Sequence, residues 1–234
     1  MWLSLVVPVF DEARRVEDSL RQATAYLRQR FEREFELIAV DDGSRDGSRA
    51  ILQRLRGELP LRVIHLPHNR GKGAAIRAGM LAAAGEMTLF SDADLSTPLT
   101  ETARFLDALA AGADLAIGTR KAAEAAVTRP QTLHRTLMGR GYTHLANLIT
   151  GLSVSDYTCG FKAFSRRARR AIFPRCRLDR WSFDVEVLYL AHRLGLSVRE
   201  LPVHWEDRPA SKVRLRRDTL GSFTELLALL VHHR

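Results

Sequence analysis

Phe35-Glu-Leu-Ile-Ala-Val40 runs straight into Asp41-Asp-Gly-Ser-Arg-Asp-Gly47, and residues 48–56 then read as a helix. An apolar run of strand length, a turn built of Asp and Gly, and a helical segment form one repeating unit. The unit recurs on both sides. Upstream, Leu3-Ser-Leu-Val-Val-Pro8 predicts a buried strand, followed by a helix over residues 17–30 with Leu20, Ala23 and Leu27 on one face. Downstream, strands are expected at 61–66, 86–90 and 114–117, and helices at 74–84 and 100–111. Strands alternating with helices of this length predict an α/β fold with a mainly parallel central sheet and helices on both faces.

After Arg120 the texture changes. Residues 121–129 are Ala-rich without a strand pattern and read as a mobile loop. A helix is expected over 133–149, with Leu133, Leu137, Gly141, Leu145 and Leu148 on one stripe and His134, Arg135 and Arg140 interrupting it. That stripe can pack on the core or rest on a bilayer. Another helix is expected over 181–194 and a late strand over 197–205. With no internal repeat or low-complexity linker, residues 1–234 read as a single domain with a specialised second half.

The bulk properties narrow the class. Hydrophobic residues make up 46% of the 234, enough for a sizeable core. Two cysteines, Cys159 and Cys176, are too few for a disulfide framework, and a reduced, cytosolic chain is expected. The first apolar run, Met1 to Phe10, is short, lacks a basic leader and is broken by Pro8, so no signal peptide is expected. No stretch approaches the ~20 apolar residues of a spanning helix. The net charge of +9 calls for a partner: nucleic acid, an anionic lipid surface or a phosphorylated substrate. Lys162, Arg166, Arg167, Arg169, Arg170, Arg175, Arg177 and Arg180 crowd one short window.

In a parallel sheet, ligands bind beyond the carboxyl ends of the strands. Each acidic turn of the first half falls there: Asp11 and Glu12 after the first strand, Asp41 and Asp42 after the second, Asp92 and Asp94 after the fourth. Such turns at one edge argue against a nucleic-acid partner, whose phosphates they would repel. In Ser91-Asp92-Ala93-Asp94 two carboxylates one residue apart can face one hard cation, Mg²⁺ or Mn²⁺, which bridges substrate phosphates. Alone, such a pair is more often a solvated turn. Asp41-Asp42 reads as a β-turn or as a partner for ribose hydroxyls and a nucleobase edge. Asn69-Arg-Gly-Lys72-Gly73 opens a helix, where glycines and Lys72 would suit a phosphate, although the spacing is neither a Walker loop nor a GxGxxG fingerprint.

Val7-Pro-Val-Phe-Asp-Glu12, Val40-Asp-Asp-Gly-Ser44, Asn69-Arg-Gly-Lys-Gly73, Asp92-Ala-Asp94 and Gly118-Thr-Arg120 follow the order seen in inverting family-2 glycosyltransferases of GT-A fold, which this sequence resembles. Cys159-Gly-Phe-Lys-Ala-Phe164, Arg180-Trp-Ser-Phe-Asp-Val-Glu186 and Ser211-Lys212 extend the resemblance to the dolichyl-phosphate sugar synthases, and nearly the whole chain is covered. The resemblance implies a nucleotide-sugar-binding half (1–120) and an acceptor-binding half (121–234). It implies that Pro8, Phe10, Glu12, Val40 and Asp42 hold the nucleoside, and that Asp92, Ala93 and Asp94 hold metal and diphosphate. It further implies that Arg120 faces the sugar or acceptor phosphate and that Arg208 and Lys212 close over the phosphates. Mannosyl members usually carry Gln where this chain has Ser96. With Leu137-Met138, Asp156-Tyr-Thr-Cys-Gly-Phe-Lys162 and the Arg180 segment, the chain is more similar to the glucosyltransferases, which favours UDP-glucose over GDP-mannose.

The expected reaction is an inverting displacement on a polyprenyl phosphate, already anionic near neutral pH, with Mg²⁺ or Mn²⁺. Arg120, Arg208 and Lys212 would offset the charge of two anionic reactants. Asp184 is the fallback base for a neutral hydroxyl acceptor, or a structural acid at a helix start. Peripheral attachment to the anionic cytoplasmic face of a membrane is expected, alone or through a separate anchor protein. A nucleotidyltransferase is the rival, but it would want a Gly-rich basic loop where this chain has Pro8-Val-Phe-Asp-Glu12.

Overall fold

The computed structural model describes residues 3–32, 34–121, 125–129, 133–206 and 215–233. Strands β1 (Leu3–Val9), β2 (Phe35–Asp41), β3 (Leu61–His65), β4 (Met87–Ser91) and β5 (Leu115–Thr119) alternate with helices α1 (Val16–Phe31), α2 (Ser48–Glu58), α3 (Lys72–Ala82) and α4 (Thr102–Ala110). A three-residue strand, β6 (Val127–Arg129), precedes α5 (Leu133–Thr150). Then come β7 (Phe161–Ser165), α6 (Arg166–Ile172), α7 (Phe183–Arg193), β8 (Val198–Pro202), β9 (Trp205–Glu206) and α8 (Leu215–His232). The main sheet has the order β3-β2-β1-β4-β7-β5-β8, and β6 pairs with β9 apart from it. Every neighbouring pair in the main sheet is parallel except those of β7, which runs antiparallel to both β4 and β5.

Strand alternation divides the core in two. Leu3, Leu5, Val7 and Val9 of β1 point to the face covered by α1, α2 and α4, with Leu20, Leu52 and Phe105 in one cluster. Val6, Ile38, Val40 and Phe90 point to the opposite face, which packs on α3, α6 and α7 through Ile76, Ile172 and Leu188. The short α/β connections place the turns after β1, β2 and β4 at one sheet edge, where a ligand can meet them.

Three departures from the sequence reading matter. β7 was not anticipated, because Lys162 interrupts its apolar run and the arginines beyond it mask a strand. Yet β7 sits between β4 and β5, with Phe161, Ala163 and Phe164 fully buried. α6 begins inside the basic window, capped by Ser165, whose hydroxyl accepts from the Ala168 N–H at 3.1 Å. The stretch expected to be a loop without strand character contains β6, held where the Trp205 N–H donates to Ala126 O at 2.9 Å.

Candidate active site

The turns after β1 and β2 are knitted together. Asp11, at φ 54°, accepts from the Arg45 N–H at 2.7 Å and donates its own N–H to Ser44 Oγ at 2.9 Å. Glu12 donates its N–H to Ser48 Oγ and pairs with Arg15 at 2.6 Å. Pro8 and Phe10 remain partly exposed at this edge, while Val40 is fully buried. Asp41 is buried between the Ser44 N–H and His65 Nδ1. Asp42, expected beside the nucleoside, has both oxygens engaged by the next loop: Oδ1 accepts from the Arg70 N–H, and Oδ2 from Gly71 N–H and Asn69 Nδ2, each at 2.8 Å. Burial pushes its carboxyl above the ordinary range against the pull of those backbone donors.

That loop delivers Lys72. Gly71 has φ 122°, and a Cβ there would lie 2.5 Å from Asp179 O, so only glycine fits this approach to the 179–180 segment. Lys72 opens α3 and reaches Asp92 Oδ1 at 2.6 Å. Burial would lower the pKa of its ammonium, but Asp92 and then Asp184 outweigh it and keep the group charged. Asp92 is seated against β7: its N–H donates to Gly160 O at 3.1 Å, and a Cβ on residue 160 would lie 1.9 Å from Asp92 Oδ2. Asp94 accepts from the Ser96 N–H at 2.9 Å and is partly exposed, as is Asp92, while Ala93 turns inward.

Arg120 directly follows β5, the strand beside β7. Its Nε and Nη2 grip Asp156 at 2.7 and 2.9 Å, Nη2 also donates to Thr158 Oγ1, and the guanidinium lies 5.3 Å from the Trp205 ring centre. Asp156 is fully buried; burial would raise its carboxyl, but the guanidinium holds it far below the ordinary range. Sequence reasoning quoted Asp156 without giving it a role. The signal was available, since an arginine ending a buried strand needs a carboxylate partner. Asp184, the fallback base, lies beneath the site: it is 2% exposed and paired with fully buried Lys162, which also donates to the carbonyls of Tyr157 and Cys159. Bound there, its carboxylate is engaged by an ammonium on the core side of the site. Arg208 and Lys212 fall outside the described residues.

Among the described residues no group of three or more His, Cys, Asp or Glu could hold a metal. Two partly exposed carboxylates nevertheless suit Mg²⁺ or Mn²⁺, which use one or two such ligands and fill the remainder with water and substrate phosphates.

The basic window is not one surface. Lys162 is at the core, and Arg169 is 5% exposed and donates to Met80 O. Arg166 and Arg167 pair with Glu86 and Asp114, which precede β4 and β5 at the sheet edge opposite the site. Arg180 does lie at the site edge, against Gly71. The α5 stripe, by contrast, is split: Leu137, Gly141 and Leu148 are exposed, the two leucines by 58% and 74%, whereas Leu145 packs partly buried on the core beside the buried Thr143, Ala146 and Thr150.

Residues 4–173 match the sequence model of glycosyl transferase family 2. The dolichyl-phosphate beta-glucosyltransferase of Drosophila melanogaster is 35% identical over 224 residues, covering 90% of this chain and 69% of that protein. The enzyme of the same name from Homo sapiens is 33% identical, with the same coverage of 90% and 69%. Among solved structures, glucosyl-3-phosphoglycerate synthase from Mycobacterium tuberculosis in complex with phosphoglyceric acid superposes with a TM-score of 0.72 at 20% identity, over 97% of this chain and 79% of that one. Its complex with Mn²⁺, UDP-glucose and phosphoglyceric acid gives 0.69 at 22% identity, over 98% and 78%. At such identity the likeness is one of fold, and it is the expected α/β GT-A architecture.

Proposed function

The chain belongs to glycosyl transferase family 2, and on that premise we propose that it is a hexosyltransferase that moves glucose from UDP-glucose to a dolichyl or related polyprenyl phosphate with inversion. The observation that carries this reading is the gathering of two open carboxylates, Asp92 and Asp94, and two cations, Lys72 on Asp92 and Arg120 on Asp156, at one sheet edge. Two phosphorylated reactants can meet there without net repulsion. Relatives that are dolichyl-phosphate glucosyltransferases by name, matched over most of the chain, favour this donor and acceptor.

In this mechanism a phosphate oxygen of the acceptor attacks the anomeric carbon from the face opposite the nucleotide. The new C–O bond forms as the bond to the diphosphate breaks, and the electron pair leaves on UDP. The acceptor phosphate is already anionic, so no general base is needed, which accords with Asp184 being tied to Lys162. Pro8, Phe10 and Glu12 border the nucleoside, and Asp42 acts on it through the loop it holds. Arg120, oriented by Asp156, offers Nη1 to the acceptor, while Asp92 and Asp94 would hold Mg²⁺ or Mn²⁺. The ion would supply positive charge to the departing diphosphate.

No helix of the described residues is long and apolar enough to cross a membrane. The exposed face of α5 is read as lying on the cytoplasmic leaflet that carries the acceptor. The test is glucosyl transfer by purified protein with Mn²⁺, comparing UDP-glucose with GDP-mannose, and polyprenyl phosphate with free sugars and diacylglycerol. Transfer from UDP-glucose to polyprenyl phosphate is expected. Preference for GDP-mannose overturns the donor, and transfer to a free sugar alone overturns the acceptor.

A further inference from the structure

Lys72 is braced more heavily than a turn residue requires. Before it, Asp42 fixes Asn69, Arg70 and Gly71 with three hydrogen bonds. After it, the Ala74 N–H donates to Asp179 O at 2.9 Å. Arg70 and Arg77 grip the Asp179 carboxylate from two sides at 2.8 Å. Gly73 packs so closely on Phe183 that a Cβ would lie 2.6 Å from it. All this holds one ammonium 2.6 Å from Asp92 Oδ1, on the turn that carries Asp94.

The cation thus occupies a carboxylate that a divalent ion would need. Removing that oxygen from the donor set leaves a bare ion with one free carboxylate and part of another, a poor competitor for water. A nucleoside diphosphate changes both sides of the balance, because its oxygens complete the ion's shell and its charge gives the ammonium a new partner. We propose that Lys72 is the resident countercation of Asp92 and yields it to Mg²⁺ or Mn²⁺ only when a nucleoside diphosphate arrives. The acidic turn therefore takes metal and nucleotide together and stays closed to metal alone. This rests on the donor-site reading above and adds the order of assembly, with Lys72 as a positioning residue.

The test is Mn²⁺ titration followed by electron paramagnetic resonance, on wild type, Lys72→Met, Lys72→Gln and Lys72→Arg, each with and without UDP. Circular dichroism verifies the fold of each variant. Wild type and Lys72→Arg are expected to bind Mn²⁺ tightly only with UDP. Removing the neighbouring charge in the Met and Gln variants should raise nucleotide-free Mn²⁺ affinity about tenfold or more. Nucleotide-free affinity unchanged in both neutral variants overturns the inference while leaving the donor site standing. So does a wild type that binds Mn²⁺ equally well with and without UDP. Failure of wild type to bind Mn²⁺ even with UDP strikes the donor-site reading, and this inference with it.

Discussion

β2 and β4 flank β1, and each ends on a pair of aspartates, yet the two pairs are built for different work. Asp41 and Asp42 are 1% and 2% exposed, and their oxygens accept from Ser44, Asn69, Arg70 and Gly71, with His65 beside Asp41. Asp92 and Asp94 are partly exposed, with one ammonium on the former and one backbone N–H on the latter. A carboxylate whose lone pairs are filled by rigid backbone donors is part of the scaffold. One facing a movable side chain and water can exchange its partner for a ligand. Residue type and position are alike in the two pairs, and partner rigidity separates them.

Asp94→Asn is the sharpest way to break that contrast. With the fold resting on other groups, transfer should fall about a thousandfold, while Tm moves by no more than about 2 °C. Turnover near wild type under limiting metal would show that Asp94 is no ligand. Asp156→Asn comes next, because it leaves the partly buried Arg120 guanidinium facing a neutral amide at a cost of about 3 kcal/mol. Its pH dependence has a definite sign. Arg120 lowers the Asp156 pKa in the folded state, so the pair's stabilisation is fully present above the unfolded carboxylate value of about 4 and is lost as pH falls through the folded value. Chemical denaturation at pH 7 and at pH 3 should show a wild-type advantage that shrinks in acid. An advantage that grows in acid would contradict the ion pair. Asp42→Ala is smaller still, at about 2 kcal/mol, and should raise the KM for donor more than it lowers kcat. A kcat-only loss would place Asp42 at the reacting atoms.

The same contrast explains what the sequence disclosed. The first-half strands were legible because Leu3 to Pro8 and Phe35 to Val40 are uninterrupted apolar runs closed by turn residues, and those turns located the sheet edge. β7 was hidden because its Lys162 is neutralised by Asp184, 22 positions away, a pairing no local pattern reveals. Arg169 misled for a related reason: it reaches a backbone carbonyl 89 positions away and is buried. α8 was not anticipated, because the apolar run at residues 226–231 is short and the residues before it are rich in charge. At the site, Asp92, Asp94 and Arg120 were readable as residue types just past strand ends, and Lys72 as a cation opening a helix. The division of labour between Asp42 and Asp92 depends on which partners surround them, which only the tertiary structure supplies.

Leu148→Asp carries the contrast to the molecule's surface, where α5 has a structural face and an open one. Leu148 is 74% exposed, whereas Ala146, two residues earlier, is fully buried against the core. Full burial of a leucine contributes roughly 1.5–3 kcal/mol, and a side chain resting at a lipid interface should realise about 1 kcal/mol of that. Binding to anionic vesicles should therefore weaken about fivefold, with Tm and transfer to a detergent-solubilised short-chain polyprenyl phosphate unchanged. Ala146→Asp should instead unfold the protein before any membrane effect can be read, since an unpaired charge would enter the core. Because the exposed arginines of the basic window split between opposite sheet edges, salt should modulate vesicle binding less than a single patch of eight cations would. Sedimentation with vesicles at low and high salt separates the contributions. Vesicle binding by Leu148→Asp equal to wild type would remove α5 from the membrane and leave its leucines as solvent-facing residues.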